Sequence, residues 1–166
     1  VLDELLARRI EVGFVGARLG DGKLRFTPFG KDRLVLIAPP GFPAAKRKGL
    51  AFEELKRHPF VLREPGSGTR HAFEQALVRA GHRIDELDIV AELGSAAAVK
   101  EAVRAGVGLA VVSELAVSCE IANGQLAKVQ LRGLDPLVRE FFMVLRAGCT
   151  LSPLAEAFLE RIGLKA

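Results

Sequence analysis

Glu64-Pro65-Gly66-Ser67-Gly68-Thr69-Arg70-His71 gathers residue types on which chemistry is built: two hydroxyls, two glycines, a histidine and a carboxylate. The run follows an apolar stretch, Phe60 to Leu62, and precedes an amphipathic one, so it reads as a joint between a strand and a helix. Three chemistries fit it. Ser67 or Thr69 can cap the helix by accepting a hydrogen bond from a free N–H of its first turn. Gly66 and Gly68 lack side chains, so an anion can approach the backbone and take those same N–H groups as donors. Ser67 and His71, four apart, can pair as nucleophile and base with Glu64 orienting the imidazole. Against this last reading, no G-x-S-x-G elbow surrounds the serine.

A second joint repeats the first. "EPGS" at 64–67 leads to a helical stretch ending "VRAG" at 78–81, and "ELGS" at 92–95 leads to one ending "VRAG" at 103–106. Each helix thus has a Gly-Ser start, an arginine in its last turn and a glycine where a left-handed C′ residue is wanted. Neither start has Glu at the third helical position, so no capping box supports a purely structural reading. "GSGTRH" lacks both the third glycine of the dinucleotide fingerprint and the Gly-Lys-Ser/Thr ending of a P-loop. The expected guest is a small anion: a carboxylate, sulfate or phosphate. In parallel sheets such guests sit at the carboxyl ends of strands, where joints of this kind face a crevice.

The elements that must position these joints follow from periodicity. Leu2, Leu5, Leu6 and Ile10 predict a helix and "EVGFVG" a strand; "LRFTPFG" and "DRLVLIAPP" predict two extended runs. "LAFEELKRH" is a short helix. Phe73, Ala76, Leu77 and Ala80 mark one face of the helix after Ser67, and Val99, Ala102 and Val103 one face of the helix after Ser95. "DIVAEL", "GLAVV", "LAKVQL" and "REFFMVLR" read as strands, with a short helix from Glu114 to Glu120. "SPLAEAFLERIG" closes the chain as a helix capped by Ser152 with Pro153 in its first turn. Strands alternating with helices between 60 and 121 imply a parallel sheet covered on both faces. The expected organisation is two α/β lobes with a cleft between them: residues 1–39 plus 135–166 form one, and residues 40–134 the inserted other, with "RGLDP" turning the chain back.

Composition narrows the classes. The 166 residues are 49% hydrophobic, enough for a sizeable core, and no stretch reaches the roughly 18 to 20 apolar residues that span a bilayer. The chain opens "VLDELLARRIEV" without an initiator Met and is expected to be a fragment whose natural beginning lies upstream. The net charge of +4 is scattered; Lys46, Arg47 and Lys48 form the densest basic cluster, without interleaved aromatics, and read as a solvated loop rather than a DNA contact. Cys119 and Cys149 are too few for a metal site or disulfide framework and are expected as buried small hydrophobes in a reducing cytoplasm. His58, His71 and His82 show no ligand spacing, so neither a metal nor a cofactor is expected.

"REPGSGTR", "ELGSAAAVKEAVRAGVGLAVVSELAV" and "REFFMVLRAGCTLSPLAEAFLERI" together resemble the effector-binding domain of LysR-type transcriptional regulators. The likeness runs from residue 1 to 163 and takes in "RIEVGFVG" and "RLVLIAPPGFP". It implies two Rossmann-like lobes of the periplasmic-binding-protein type II kind, with the first lobe truncated at its N-terminus and an effector held in the central cleft. Carried over by position, effector contacts fall at Ser67, Gly68 and Thr69, at Gly94 and Ser95, and at Gly16 and Ala17. The resemblance implies a cytoplasmic homodimer or homotetramer that reaches DNA only through an N-terminal helix-turn-helix absent from this chain, with no membrane partner. Ser113 stands where relatives often have proline and is expected to cap the next helix. A solute-binding receptor of a transport system shares the fold and is the alternative; the Ser67–His71 hydrolase is the third reading.

Overall fold

The computed structural model describes residues 1–18, 22–47, 49–134 and 137–165. The expected return point at residue 135, the Asp135-Pro136 end of "RGLDP" and Lys48 of the basic cluster lie outside the described residues. The chain divides into two compact units, Val1–Lys31 with Glu140–Ala166, and Asp32–Arg139.

The first unit is built from helix α1 (Leu2–Leu6), strand β1 (Val12–Val15), the early part of β2 (Leu24–Ala38), the late part of β9 (Val138–Arg146) and helix α6 (Pro153–Arg161). β1 runs antiparallel to β9, Val12 opposite Leu145 and Val15 opposite Phe142, and β9 lies between β1 and β2. Strand alternation sends Val144 toward Leu5 of α1 and sends Met143 and Leu145 toward Leu159 of α6. The two runs read as separate strands are one strand, β2, because Pro28 and Gly30 sit on its largely exposed part, where a missing ladder donor costs little. Phe14, Phe29 and Phe158 form a half-exposed aromatic cluster, Phe14 meeting Phe29 edge-on at 5.3 Å and Phe158 at 6.3 Å.

Ser152 caps α6 as its sequence predicts, accepting from the Ala155 N–H at 3.3 Å. Glu11 completes that cap. Its carboxylate accepts the Ser152 N–H at 2.8 Å and the Ser152 hydroxyl at 2.6 Å.

The second unit contains the rest: β3 (Leu50–Ala51), α2 (Phe52–Leu55), β4 (Pro59–Arg63), α3 (Gly68–Arg79), β5 (Asp88–Leu93), α4 (Ala96–Arg104), β6 (Ala110–Ser113), α5 (Ser118–Ala122), β7 (Ala127–Val129) and β8 (Leu131–Arg132). β4 and β5 are parallel, and Leu109 extends the ladder on the other side of β4, its N–H donating to Pro59 O at 2.8 Å. β6 then pairs antiparallel with β2, which takes β7 antiparallel on its far edge. The strands between residues 60 and 121 are parallel, as expected; the sheet becomes mixed only where β2, the strand leading into this unit, runs against β6 and β7.

Phe60 and Leu62 of β4, Leu109, Val111 and Leu36 pack on one face with Phe73, Ala76 and Leu77 of α3. Val61, Ala110, Val112 and Ile37 pack on the other with Val99 and Val103 of α4. Both faces are covered, which is why these strands read as continuous apolar runs. The two "VRAG" endings form matching caps: His82 N–H bonds Leu77 O and Val107 N–H bonds Ala102 O, with Gly81 and Gly106 at φ +81° and +80°. The cysteine expectation is overturned. Cys119 lies in the first turn of α5 and Cys149 in the turn between β9 and α6, and both are exposed.

Two outcomes follow from this packing. A Cβ on Gly108 would lie 2.6 Å from Pro59 O, against backbone that cannot swing away, so Gly108→Ala should cost about 2 kcal/mol in urea denaturation. Glu11 is held below the usual glutamate value of 4.5, first by the Ser152 hydroxyl and then by its N–H. A carboxyl depressed on folding contributes stability above its unfolded value and loses it as pH falls through the folded one. The thermal midpoint should therefore drop below about pH 4.5, and Glu11→Gln should begin lower at pH 7 and fall less steeply.

Candidate functional site

β4 and β5 end side by side. Arg63 pairs with Leu93, and the Glu64 N–H continues the ladder to Leu93 O at 3.2 Å. From these adjacent ends α3 departs on one face of the sheet and α4 on the other, as the two core clusters require. Adjacent parallel strands whose connections diverge to opposite faces leave a crevice beyond their carboxyl ends, which is where ligands sit in such sheets.

The first corner is a tight turn. Ser67 N–H donates to Glu64 O at 3.2 Å across Pro65 and Gly66, with Gly66 at φ +87°, the placement a type II turn asks of Pro-Gly. α3 then begins. Its first intrahelical bond is His71 N–H to Ser67 O at 2.9 Å, so the amides of Gly68, Thr69 and Arg70 have no helical acceptor. Ser67 has extended N-cap backbone angles, φ −65° and ψ 127°, yet its hydroxyl makes no cap bond. The residue is 8% exposed, and no sealed polar side-chain atom lacks a partner among the described residues. The Ser67 hydroxyl therefore keeps its opening to solvent, with both its donor and acceptors unused.

Thr69 differs from the cap expectation as well. Its Oγ1 accepts from Arg139 Nη1 at 3.0 Å and takes no backbone N–H. Arg139 in turn places Nε and Nη2 each 2.8 Å from Asp32 Oδ2. The other Asp32 oxygen accepts the Ser113 hydroxyl at 3.0 Å, and Ser113 also caps the following turn by accepting from Ala116 N–H at 3.3 Å.

The second corner is simpler. Ser95 Oγ accepts from Ala98 N–H at 3.1 Å and caps α4, while Gly94 faces open space. Arg70 joins the two corners. From the first turn of α3 it reaches Arg63 O at 3.0 Å on β4 and Glu92 Oε1 at 2.8 Å on β5, and its Nε holds Glu74 at 2.8 Å. Glu64 is held below the usual carboxylate range by the Arg63 guanidinium, at 2.7 and 2.8 Å. That pairing takes the carboxylate that would have oriented His71, and Ser67 and His71 share only their backbone bond.

Five of the seven expected residues, Ser67, Gly68, Thr69, Gly94 and Ser95, thus come together at one end of one sheet. Gly16 and Ala17 stand in the other unit, half-buried after β1. Sequence reasoning missed Arg70, Arg139 and Asp32. Arg70 was within reach, as the one charged residue inside the first joint's helical start. Asp32 and Arg139, 107 residues apart, carried no spacing signal.

Two other features lie away from the corners. Glu53, His82 and Glu86 have ligand atoms within 4.8 Å of one another, a grouping invisible in the spacing of the histidines. Lys56 Nζ already sits there, 2.8 Å from Glu53 and 3.4 Å from Glu86, while His82 stacks on Phe52. A cavity of about 370 Å³ runs along β2 and β7, and no corner residue lines it.

Residues 1–164 match the family model described as the LysR substrate binding domain. The chain is 34% identical over 159 residues to the HTH-type transcriptional regulator CbbR of Sinorhizobium medicae, covering 95% of this chain and 50% of that protein. It is 39% identical over 151 residues to the phosphonates import ATP-binding protein PhnC of Anaeromyxobacter dehalogenans, covering 91% of this chain and 30% of that one. The chain thus spans about a third to a half of the length of the curated relatives it matches. Among solved structures, the regulatory domain of Synechocystis PCC6803 CcmR in complex with 2-PG superposes with a TM-score of 0.83 at 27% identity, covering 97% of this chain and 76% of that one. No helix among the described residues is long and apolar enough to cross a membrane.

The two corner serines should separate in a stability measurement. Ser95→Ala removes a formed cap bond and should cost about 1 kcal/mol, whereas Ser67→Ala removes none and should stay within about 0.5 kcal/mol by urea denaturation.

Proposed function

The chain belongs to the LysR substrate-binding-domain family, and on that footing we propose that it senses a small anionic metabolite at the paired corners of its second unit. The contacts are Ser67, Gly68 and Thr69 at the start of α3, with Gly94 and Ser95 beside them. The observation that carries the proposal is the Ser67 hydroxyl: set at a helix start, nearly enclosed, and without a partner beside three amides that have no helical acceptor. A polar group left unpaired by the protein in such a place bonds to water, and an anionic guest that displaces that water takes the same donor. The whole protein, by the length of its relatives, would carry a helix-turn-helix that the signal reaches, and would work as a regulator of transcription rather than an enzyme.

The paired charged side chains around the corner are Arg63, Arg70 and Arg139 against Glu64, Glu74, Glu92 and Asp32, one negative in excess. Attraction by net charge therefore does not select the guest. Oriented donors do: the N–H groups of α3 and the hydroxyls beside them present hydrogens and no carboxylate lone pair, which suits an oxyanion at short range. The guest bound by the Synechocystis protein, 2-PG, makes it the first probe, with inorganic phosphate and sulfate beside it.

Thermal shift and isothermal titration on the 166-residue chain test this. At a hundred times its dissociation constant the guest should add about 2.7 kcal/mol of stability. Ser67→Ala should weaken binding about tenfold or more, the loss of one hydrogen bond to a charged partner, with little change in the unliganded midpoint. Equal affinity in the variant would remove Ser67 from the site; no response to any oxyanion would remove the proposal.

A further inference from the structure

Thr69 is almost as enclosed as Asp32, at 5% and 2% exposure, and Arg139 bridges them, bonding the hydroxyl of one and the carboxylate of the other. The direction of that bond is fixed by chemistry. A guanidinium has N–H donors and no acceptor, so in the Arg139–Thr69 contact the threonine oxygen must accept. The hydroxyl hydrogen of Thr69 is then turned elsewhere, and no described residue takes it. It belongs to the second residue of α3, whose own amide also lacks a helical acceptor.

We propose that Arg139 is a positioning residue for effector binding, fixing the Thr69 hydroxyl as a hydrogen-bond donor to the anion. The inference rests on the anion reading above and deepens it. Without Arg139 the hydroxyl rotates freely, and its hydrogen must be ordered when an anion binds. With Arg139 holding one lone pair, the hydrogen is restricted to the remaining directions about the oxygen, and an anion placed there takes it as a donor. Asp32 keeps Arg139 itself in position and neutralises it, so the guanidinium orients Thr69 without acting as the anion's own partner. Asp32 and Arg139 are also the first and last residues of the second unit. A guest held by Thr69 is therefore linked, through two contacts, to the points where the chain enters and leaves that unit.

A double-mutant cycle on 2-PG affinity, measured by isothermal titration of the 166-residue chain, tests the coupling. Thr69→Val removes the hydroxyl at constant shape and should weaken 2-PG about tenfold; Thr69→Ser should restore most of it. Arg139→Gln alone strands a buried carboxylate and endangers folding, so it is paired with Asp32→Asn, which leaves the site neutral. The paired change should weaken 2-PG about tenfold in the wild-type background and less than twofold on top of Thr69→Val. Losses that multiply in full would mean Arg139 acts on structure alone and would overturn the inference. Thr69→Val binding as tightly as wild type would overturn it too while leaving the Ser67 reading standing. Failure of the wild type to bind 2-PG, phosphate or sulfate would overturn both.

Discussion

A carboxylate enclosed to 2% exposure must have its lone pairs taken, and in this chain that demand falls on Asp32. Its two oxygens are satisfied by Arg139 and Ser113, which come from β9 and from the end of β6. Four segments distant in sequence are thereby fixed against one another: the strand entering the second unit, the strand leaving it, the last residue of β6, and α3 through Thr69. Such a pair adds little net stability over apolar packing of equal volume, but losing one partner costs about 3–5 kcal/mol because the other is left charged and buried. Its contribution is alignment rather than strength. Every donor at the start of α3 inherits its direction from a helix that this pair helps to hold.

The site itself follows from handedness. β4 lies between β5 and the start of β6, so the chain steps from β4 to β5 on one side and then back across β4. Right-handed crossovers in opposite directions put their helices on opposite faces, and the side chains of β4 record it, Phe60 and Leu62 toward α3, Val61 toward α4. The two Gly-Ser corners are therefore neighbours for a topological reason, independent of any similarity between them. Arg70 adds the local constraint, tying the first turn of α3 to the ends of both strands.

Much of this could be read from residue order. The apolar spacing of Phe73, Ala76 and Leu77, and of Val99 and Val103, reports the buried faces of α3 and α4 directly, and the paired "VRAG" endings report their caps. Strand pairing was harder. Pro28 and Gly30 look like a break, yet β2 runs through them because that part is largely exposed. The mixed sheet was hidden for a similar reason: alternation of strands and helices fixes β4 and β5 as parallel but says nothing of β2, which enters from outside the repeat. The exposed cysteines show the limit of residue averages, since position in a first turn or a tight loop decides exposure before side-chain type does. Asp32 and Arg139 could not be paired by any periodicity, for contacts across 107 residues leave no local trace.

Ser67 and Ser95 share a sequence context and part in use, and the difference explains how one of them is available. A helix start with no side-chain cap loses about 1 kcal/mol unless something else steadies it. α4 takes the ordinary course and spends the Ser95 oxygen on Ala98 N–H. α3 is steadied by other means: the Pro65-Gly66 turn closed by Ser67 N–H, the three anchors of Arg70, and the Arg139 bond to Thr69. With its first turn secured from outside, α3 does not need the Ser67 hydroxyl. The same atoms that make up the cap in one corner are left, in the other, to meet a guest, and the helix is formed before that guest arrives.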